Sequence, residues 1–456
     1  MTASQDRATA KIGEFFAEID EYEKAGQMKA AYELARRVAD AAPQLAQAQN
    51  MAGLLAFKLG ERAKAQEWVE KAMRLAPEVA AYPRNLALVY HAINKPQQAL
   101  TMAQRAIDLA PNEAALHFNK ALILYDGLRL TEGEVAVERA LALSPDYAEA
   151  HFLKAELCLL GGRLREGWES YERRFAMEQG KDMLPLTNKP QWDGRKLAAG
   201  RLLLVADQGF GDCIQFARYI PWVASLAPQP VLAASDELLP LLRQMKPLGR
   251  LVRRWDEAGD YEAYMPLSGL PRLAGTTLAT IPAPVPYLRA DPVKLAFWRA
   301  RLKELVPARL RRVGLVWAGR PAHAKDTRRS VKLAQCAPLM ARPDIAFIAL
   351  QKGARSDEVG LSFGVAPLIN LGPQIADFTD TLAILQLLER LVSVDTSVVH
   401  LAGASGVPAT LLLPYAPDWR WLLQREDSPW YPTLRLVRQG QPGDWAGVME
   451  RVAASL

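Results

Sequence analysis

Hydrophobic and polar positions follow two different patterns along the 456-residue chain. In the first third, apolar and small residues recur with a helical period in units of 34 residues. From about residue 201, short apolar runs such as residues 202–206 and 345–350 alternate with segments of helical pattern. Runs of this length are typical of strands that are buried on both faces of a parallel sheet. The pattern therefore predicts a helical repeat array followed by an α/β region.

Prolines and small residues mark the 34-residue unit. The prolines are Pro43, Pro77, Pro111 and Pro145. Three further sets keep the same period: Gly26, Gly60, Asn94, Leu128 and Gly162; Ala31, Ala65, Ala99 and Gly133; and Ala72, Ala106 and Ala140. These spacings fit two antiparallel helices in each unit. A residue in the left-handed conformation ends the first helix, and proline follows the second because it cannot continue it.

This periodicity resembles that of the tetratricopeptide repeat (TPR). The predicted units are residues 12–45, 46–79, 80–113 and 114–147. A fifth unit starts at about residue 148 and keeps Gly162, but it ends differently, at residues 168–175. Repeats of this kind bind peptides or proteins along a concave face and seldom catalyse reactions. The array therefore predicts a protein partner, and its simplest interpretation is a docking module.

A glycine loop follows the first predicted strand. Residues 207–212 read Asp-Gln-Gly-Phe-Gly-Asp, and a helix with a kink at Pro221 is predicted from Ile214 to Leu226. Strand, glycine loop and helix begin a nucleotide-binding type of unit. However, the loop lacks both the Gly-x-Gly-x-x-Gly spacing and the Lys-Ser/Thr of a P-loop. Asp212 would lie at the helix start, where it either faces a ligand or only caps the helix.

The second half contains two further strand ends that favour phosphate. The strand at residues 313–319 leads into a polar, basic loop that carries Lys325 and Arg329. Because ligands bind at the carboxyl ends of parallel strands and guanidinium groups grip phosphate, this loop predicts a diphosphate site, unless it is a solvated surface loop. Farther along, Thr396 and Ser397 open a helix whose free N–H groups suit an anion. His400, one turn inside that helix, is more often a packed residue than a ligand.

Composition and charge exclude several classes of protein. The net charge of +6 is spread along the chain without a basic tail, which argues against nucleic-acid binding. Three distant cysteines, Cys158, Cys213 and Cys336, offer neither a disulfide framework nor a Cys-x-x-Cys metal site. We expect no signal peptide and no membrane span, and therefore a cytoplasmic protein.

Three blocks of sequence resemble a known group of enzymes. Residues 207–219 are similar to the EQGxGDxxQFxRY block of bacterial TPR glycosyltransferases, with Asp207 in place of the usual Glu. Residues 394–403 resemble the donor-side block shared with the ADP-heptose heptosyltransferases. Residues 419–423 and 428–432 are similar to the C-terminal end of the same group. A looser analogy is the O-GlcNAc transferase, which also joins such repeats to a two-Rossmann (GT-B) catalytic region.

The resemblance implies a fold class of α plus α/β: an N-terminal α-solenoid followed by a GT-B-type pair of Rossmann-like subdomains. The expected domains are the TPR array at 1–175, a linker at 176–200, an acceptor-side subdomain at 201–290 and a donor-side subdomain at 291–456. A stiff connector with three prolines, residues 281–286, lies close to the boundary expected between the two subdomains. The short first subdomain suggests an acceptor site that is reduced or shared with the repeats.

The resemblance also implies roles for individual residues. Asp212 would be the catalytic base that deprotonates an acceptor hydroxyl for in-line displacement at the anomeric carbon. The expected donor-binding residues are Arg329, Gln351, Lys352, Asp395, Thr396, Ser397 and His400. The expected acceptor-side residues are Gln208, Gly209, Gly211 and Gln215. Cationic groups would stabilise the leaving diphosphate, so we expect no metal and no cofactor other than the nucleotide sugar as co-substrate.

Three functions remain open at this stage. The first is a metal-independent protein O-glycosyltransferase whose repeats bind a protein acceptor, such as flagellin or another surface protein. The second is a heptosyltransferase-like enzyme that modifies lipopolysaccharide or another glycan. The third is a non-catalytic TPR adaptor with a decayed transferase fold.

Overall fold

A computed structural model describes residues 3–197, 201–282, 284–323, 325–360 and 364–456. The chain divides into two compact units, Met1–Leu157 and Cys158–Leu456, hereafter the first unit and the second unit. The division falls inside a helix of the fifth predicted repeat, so the last helix of that repeat belongs to the second unit. The domain limits expected from the sequence stay predictions.

The first unit consists of helices joined by short turns. They are α1 (Ala3–Lys24), α2 (Met28–Ala41), α3 (Ala46–Lys58), α4 (Arg62–Leu75), α5 (Ala81–Ala92), α6 (Pro96–Leu109), α7 (Ala114–Asp126), α8 (Leu130–Leu143) and most of α9 (Ala148–Leu160). The predicted turn residues have positive φ, from 56° at Leu128 to 82° at Gly162. The periodic alanines of both sets are fully buried. Both observations confirm the repeat prediction.

The second unit alternates strands and helices. Its elements are α10 (Leu164–Tyr171), β1 (Leu202–Val205), α11 (Phe210–Phe216), α12 (Ile220–Leu226), β2 (Val231–Ala233), α13 (Leu239–Leu242), β3 (Arg250–Val252), β4 (Ala263–Pro266), α14 (Leu270–Leu273), α15 (Pro292–Leu305), β5 (Arg311–Val316), α16 (Asp326–Arg329), β6 (Ile345–Ala349), β7 (Leu368–Asn370), α17 (Phe378–Leu385), β8 (Arg390–Val394), α18 (Ser397–Ala404), β9 (Ala409–Leu413), β10 (Leu434–Arg438) and α19 (Trp445–Ser455). Short 3-10 turns at Glu172–Ala176 and Trp419–Trp421 carry residues of the candidate site.

The strands form two parallel sheets. The first has the order β3-β2-β1-β4 and the second β10-β9-β8-β5-β6-β7. In each sheet the order reverses beside its first strand, between β1 and β4 and between β5 and β8. These are the orders of Rossmann-like sheets, whose ligands bind at the reversal point outside the carboxyl ends of the strands. The predicted fold class, a helical solenoid followed by two Rossmann-like subdomains, is confirmed.

Buried apolar side chains from the runs identified in the sequence stabilise both sheets. Leu204 of β1 lies opposite Leu232 and Met265, and Leu315 of β5 lies opposite Ala349 and Val392. All six side chains are fully buried. Parallel strands that are covered by helices on both faces need this continuous apolar character.

Several elements differ from the sequence expectation. The helix predicted at 214–226 begins four residues earlier, at Phe210, and divides into α11 and α12 around a 3-10 turn at Ala217–Tyr219. The elements α14, α15, α16, β10 and α19 were not predicted. In β10 arginines interrupt the apolar residues, as suits a strand at the edge of its sheet.

Candidate active site

The candidate site is the group of side chains that follow β1, β5, β8 and β9 and meet at the carboxyl ends of the two sheets. Asp212 comes from the first sheet. Arg329, Asp395 and Arg420 come from the second. The reversal points of both sheets therefore contribute to it, as expected for ligand sites in folds of this kind.

Asp212 lies in the first turn of α11, with Gly209 as the residue that caps the helix. Its carboxylate accepts the backbone N–H of Gly209, and Oδ1 also accepts from Nη2 of Arg420. Burial raises the pKa of Asp212, and Arg420 opposes that rise. The side chain is nevertheless 24% exposed. Asp212 thus supports its own helix and also contacts the second subdomain, while its role toward a ligand stays a prediction.

Arg420 was assigned no role from the sequence. It lies in the Trp419–Trp421 turn after β9, where Nη1 donates to Oδ1 of Asp418 at 2.8 Å. The guanidinium carbon lies 4.1 Å from the ring centroid of Trp419. Although burial opposes its charge, Asp212 and Asp418 raise the pKa of Arg420. The sequence did hold one indication of this role. Arg420 stands between two tryptophans in the loop after a buried strand, and an arginine in such apolar surroundings is more often buried than exposed.

Gly211 and His400 meet where the two subdomains pack together. A Cβ at Gly211 would lie 2.7 Å from Cδ2 of His400. The imidazole Nδ1 lies 3.0 Å from the Tyr431 hydroxyl, and its ring centroid lies 5.3 Å from that of Trp421. Burial, with Arg420, lowers the pKa of His400 to about 3, so the ring is neutral at physiological pH. His400 is therefore a buried, packed residue, which is the commoner role of a histidine at such a position.

Asp395 ends β8 beside the same aromatic group. Its Oδ2 accepts from Nε1 of Trp421 at 3.0 Å, and its Oδ1 lies 3.9 Å from Nε2 of His400. Burial and the carboxylate of Asp418 raise the pKa of Asp395 to about 6. The next two residues, Thr396 and Ser397, are partly exposed at the N-terminus of α18. This arrangement leaves hydroxyl groups close to a carboxyl that titrates near neutral pH.

The cationic loop after β5 folds over Gly319. The Gly319 N–H donates to the Ser330 hydroxyl at 2.9 Å, which in turn donates to Asp326 at 2.9 Å. Arg329 Nε lies 3.4 Å from Asp326 Oδ1. A Cβ at Gly319 would lie 2.5 Å from Oδ1 of Asp326 and 2.7 Å from Nη2 of Arg329, so both side chains lie close to the backbone of this glycine. Asp326 and Ser330 thus hydrogen-bond or pair with their neighbours in this loop, and the diphosphate role of Arg329 stays a prediction.

Gln351 and Lys352 lie at the end of β6. The Gln351 amide accepts from the N–H of Ala318 at 3.0 Å and donates to the carbonyl of Ala318 at 3.0 Å. It also accepts from the N–H of Trp317 and donates to the carbonyl of Lys352. Gln351 therefore shapes the end of β5 through the backbone. Lys352 is exposed and donates to the carbonyl of Ile375.

The acceptor-side residues have different surroundings. Gln208 exchanges hydrogen bonds with the Tyr171 hydroxyl at 3.0 and 3.3 Å. Gly209 is exposed, whereas Gln215 is fully buried. Within the described part of the chain, neither side-chain atom of Gln215 has a hydrogen-bond partner. The structure thus brings Gln208 and Gly209 to the surface of the loop and leaves Gln215 inside.

Asp207 anchors the glycine loop. Its Oδ1 accepts the N–H of Ser268 at 3.1 Å, and its Oδ2 lies 3.4 Å from Nη2 of Arg174. The Asp207 side chain is only 1% exposed. Burial raises its pKa, and Arg174 opposes the rise. The shorter acid at this position therefore has a structural anchoring role, and Arg174, which the sequence did not reveal, is its partner.

Trp168 connects α10 with the α/β part of the second unit. Its Nε1 donates to the carbonyl of Thr276 at 3.0 Å, and its ring centroid lies 5.2 Å from that of Trp419. Because Trp419 precedes Arg420, the last helix of the fifth repeat supports the turn that contributes to the candidate site.

In the described ranges, no group of three or more His, Cys, Asp or Glu side chains is arranged to hold a metal ion. No helix among the same residues has both the length and the apolar character to cross a membrane.

Comparison with known proteins agrees with the repeat geometry. The family model of the tetratricopeptide repeat matches residues 46–79, which is one of the units predicted from the spacing. The N-terminal region is a tetratricopeptide-repeat region. Repeats of this kind typically bind protein partners.

A relative extends the comparison beyond the repeats. The chain is 30% identical to protein FlbA of Caulobacter vibrioides over 291 residues, which is 58% of this chain and 48% of that protein. The chain thus spans about half the length of this curated relative.

Solved structures of repeat proteins also match part of the chain. MamA from Desulfovibrio magneticus is 17% identical, with a TM-score of 0.33, over 37% of this chain and 95% of that one. A thermophilic TPR protein from Thermus thermophilus is 24% identical, with a TM-score of 0.34, over 37% of this chain and 91% of that one.

Proposed function

We propose that this protein is a glycosyltransferase that moves a sugar from a nucleotide-sugar donor to an acceptor hydroxyl, with a protein acceptor held by the TPR region. One observation carries the proposal. Asp212, at the carboxyl end of the first sheet, contacts Arg420 in the turn after β9 of the second sheet, so a carboxylate and a guanidinium meet at one junction between two Rossmann-like subdomains.

Asp212 is suited to act as the general base. Burial raises its pKa above that of a free aspartate, which strengthens it as a proton acceptor at neutral pH. Its partly exposed carboxylate would take the proton of the acceptor hydroxyl as that oxygen bonds to the anomeric carbon. The bond from the same carbon to the donor diphosphate breaks, and the electron pair leaves with the nucleoside diphosphate.

The second subdomain would bind that diphosphate. Arg329 is fixed over Gly319 at the reversal point of the second sheet and supplies a cationic fork. The hydroxyl groups of Thr396 and Ser397 and the N-terminus of α18 would add hydrogen-bond donors for phosphate oxygens. These donors stabilise the negative charge that develops on the leaving group.

The TPR region favours a protein as the acceptor over a glycan. A cavity of about 510 Å³ lies on the first unit beside α6, α7 and α8, with Arg105, Asp108, Lys120, Arg129 and Glu132 among its lining residues. Such a mixed-charge lining suits a polar peptide better than a uniformly anionic glycan. A heptosyltransferase-like activity on glycans remains the second candidate because of the donor-side block at residues 394–403.

The first test is calorimetry of the full-length protein with UDP, GDP, ADP and CMP. We expect one nucleotide to bind, and Arg329→Met to weaken that binding at least about tenfold, since a bidentate charged contact contributes about 1.5–3 kcal/mol. Gly440→Ala, where a Cβ would meet no atom within 4 Å, is the matched control. Absence of binding across the panel would contradict the proposal.

The second test follows a labelled sugar from the matching donor. We expect label in the protein fraction, and Asp212→Asn to keep donor binding while transfer falls about 10²–10⁴-fold, the usual contribution of a general base. Label in the glycan fraction would instead support the glycan-modifying alternative. Donor binding with no transfer to either fraction would support the adaptor.

A further inference from the structure

We propose that Arg420 is a positioning residue for Asp212: held between two carboxylates, its guanidinium fixes Asp212 in one orientation and in its ionised form, ready for an acceptor hydroxyl. This inference rests on the proposed function, because it concerns the base of that reaction. Arg420 lies in the block of residues 419–423 that resembles the family, but neither the sequence nor the comparisons with known proteins gave it a role.

The guanidinium of Arg420 is held on several sides. Nη2 donates to Asp212, and Nη1 donates to Oδ1 of Asp418 at 2.8 Å. The same Asp418 oxygen accepts the Arg420 backbone N–H at 3.0 Å, so side chain and turn are fixed by one carboxylate. The guanidinium carbon lies 4.1 Å from the ring centroid of Trp419 and 5.9 Å from that of Phe216. An arginine restrained in this way loses little further entropy when it orients a partner.

Exposure separates the roles of the two partners. The Asp212 side chain is 24% exposed, whereas that of Arg420 is only 8% exposed. A substrate can therefore reach the carboxylate more readily than the guanidinium. The geometry makes Arg420 act through Asp212 and argues against direct contact between Arg420 and the reacting atoms.

The charges around Asp212 make Arg420 necessary. The groups that face it are the carboxylates of Asp418 and Asp207, the Tyr171 phenol, the Gly209 N–H and the Arg420 guanidinium. Burial and the two carboxylates disfavour a negative charge on Asp212, and the Arg420 guanidinium opposes them. Without it, the base would stay protonated to a higher pH and could not accept a proton there.

The two partners come from different subdomains. They are 208 positions apart in the chain, one in α11 and the other in the turn after β9. Asp212 can have this partner only when the two sheets are placed as they are here. The base is therefore complete only in the arrangement in which the donor-binding subdomain is also in place.

The main experiment compares full-length wild type, Arg420→Met and Arg420→Lys with the donor found by calorimetry. A general base works when ionised, so we expect the acid limb of the kcat/KM profile to move up by about 1–3 pH units in Arg420→Met. Arg420→Lys keeps the charge and should recover part of this shift. The control is Arg254→Met, which removes an arginine 71% exposed in a surface pair with Asp256.

Two outcomes would overturn the assignment. An unmoved acid limb with slower turnover would mean that Arg420 only supports the fold. An unmoved limb with a more than tenfold loss of donor affinity would make Arg420 a donor-binding residue instead. If Arg420→Met fails to fold, the same pH profile and donor affinity are measured with Arg420→Lys.

A double-mutant cycle separates this inference from the proposed function. Single Asp212→Asn and Arg420→Met substitutions should each lower the melting temperature, and the double variant should lose less than their sum, because neither charge is then left unpaired. If the loss of turnover in the double variant equals the sum of the two single losses, the positioning role alone would be overturned. If the losses of melting temperature are coupled but no donor binds, the proposed function would be overturned and, with it, any catalytic role of the pair.

Discussion

Gly211→Ala tests the contact that joins the two subdomains. The new Cβ would lie 2.7 Å from Cδ2 of His400, whereas carbon atoms in contact prefer about 3.5–4.0 Å. The imidazole would have to move by about 1 Å. It is held by the Tyr431 hydroxyl at 3.0 Å and by the ring of Trp421, so the subdomains themselves must give way.

The expected loss for such overpacking is about 1–3 kcal/mol of unfolding free energy. Melting temperatures fall by about 2–4 °C for each kcal/mol in domains of about 200 residues. Asp212 is the next residue, so we also expect turnover to fall as its contact with Arg420 is displaced.

Urea unfolding followed by tryptophan fluorescence is a suitable assay. Trp68 precedes the second unit and the other ten of the eleven tryptophans lie within it, so the signal reports mainly on that unit. Gly440→Ala is the control, because a Cβ there meets no atom within 4 Å. Combining Gly211→Ala with His400→Ala should cost less than the sum of the two changes. If Gly211→Ala unfolds within about 0.5 kcal/mol of the control, the inferred contact is wrong.

Two further predictions concern backbone conformation and pH. At Leu128, where φ is 56°, a Gly variant should be more stable than an Ala variant by about 1 kcal/mol. At Arg139, an exposed position inside helix α8, the Ala variant should be the more stable one. Thermal melts of the four variants measure both differences. The pKa of Asp395 is about 6 in the folded state, above the ordinary value of about 3.9, so the stability it contributes is present below about pH 4 and is lost as pH rises through about 6. The advantage of wild type over Asp395→Asn in urea should therefore shrink by up to about 3 kcal/mol across that window and stay constant above it; a gap independent of pH would refute the assignment.

Local order along the chain was sufficient to predict the repeats. Helix ends, small contact positions and left-handed turn residues depend on neighbours a few positions away, so the 34-residue period alone placed Gly60, Asn94 and Leu128 at positive φ. Buried strands such as β1, β5 and β6 were also visible, because burial on both faces requires uninterrupted apolar runs. The start of α11 was missed because Gly211 disguises a helical turn that begins at Phe210.

The candidate site was only partly visible in the sequence. Strand ends marked Asp212, Arg329 and the turn at Thr396, since loops at the carboxyl ends of parallel strands meet at one edge, whereas Asp395 was named by the family resemblance. The sequence could not reveal what each of these residues contacts. Gln351 illustrates the limit: it lies where expected, yet its amide is used by the backbone of neighbouring loops.

The amino-acid sequence by itself determined the helical repeats, the parallel strands and the positions of the glycine and cationic loops, because each depends on short-range periodicity. Only the tertiary structure decided that Arg420 pairs with Asp212, that His400 fills the space beside Gly211 and that Arg174 neutralises Asp207. These contacts join residues from 33 to 208 positions apart. They form because an unpaired charge or an unfilled space is costly in free energy when it is buried. A local sequence pattern does not show which distant residue pairs with the charge or fills the space.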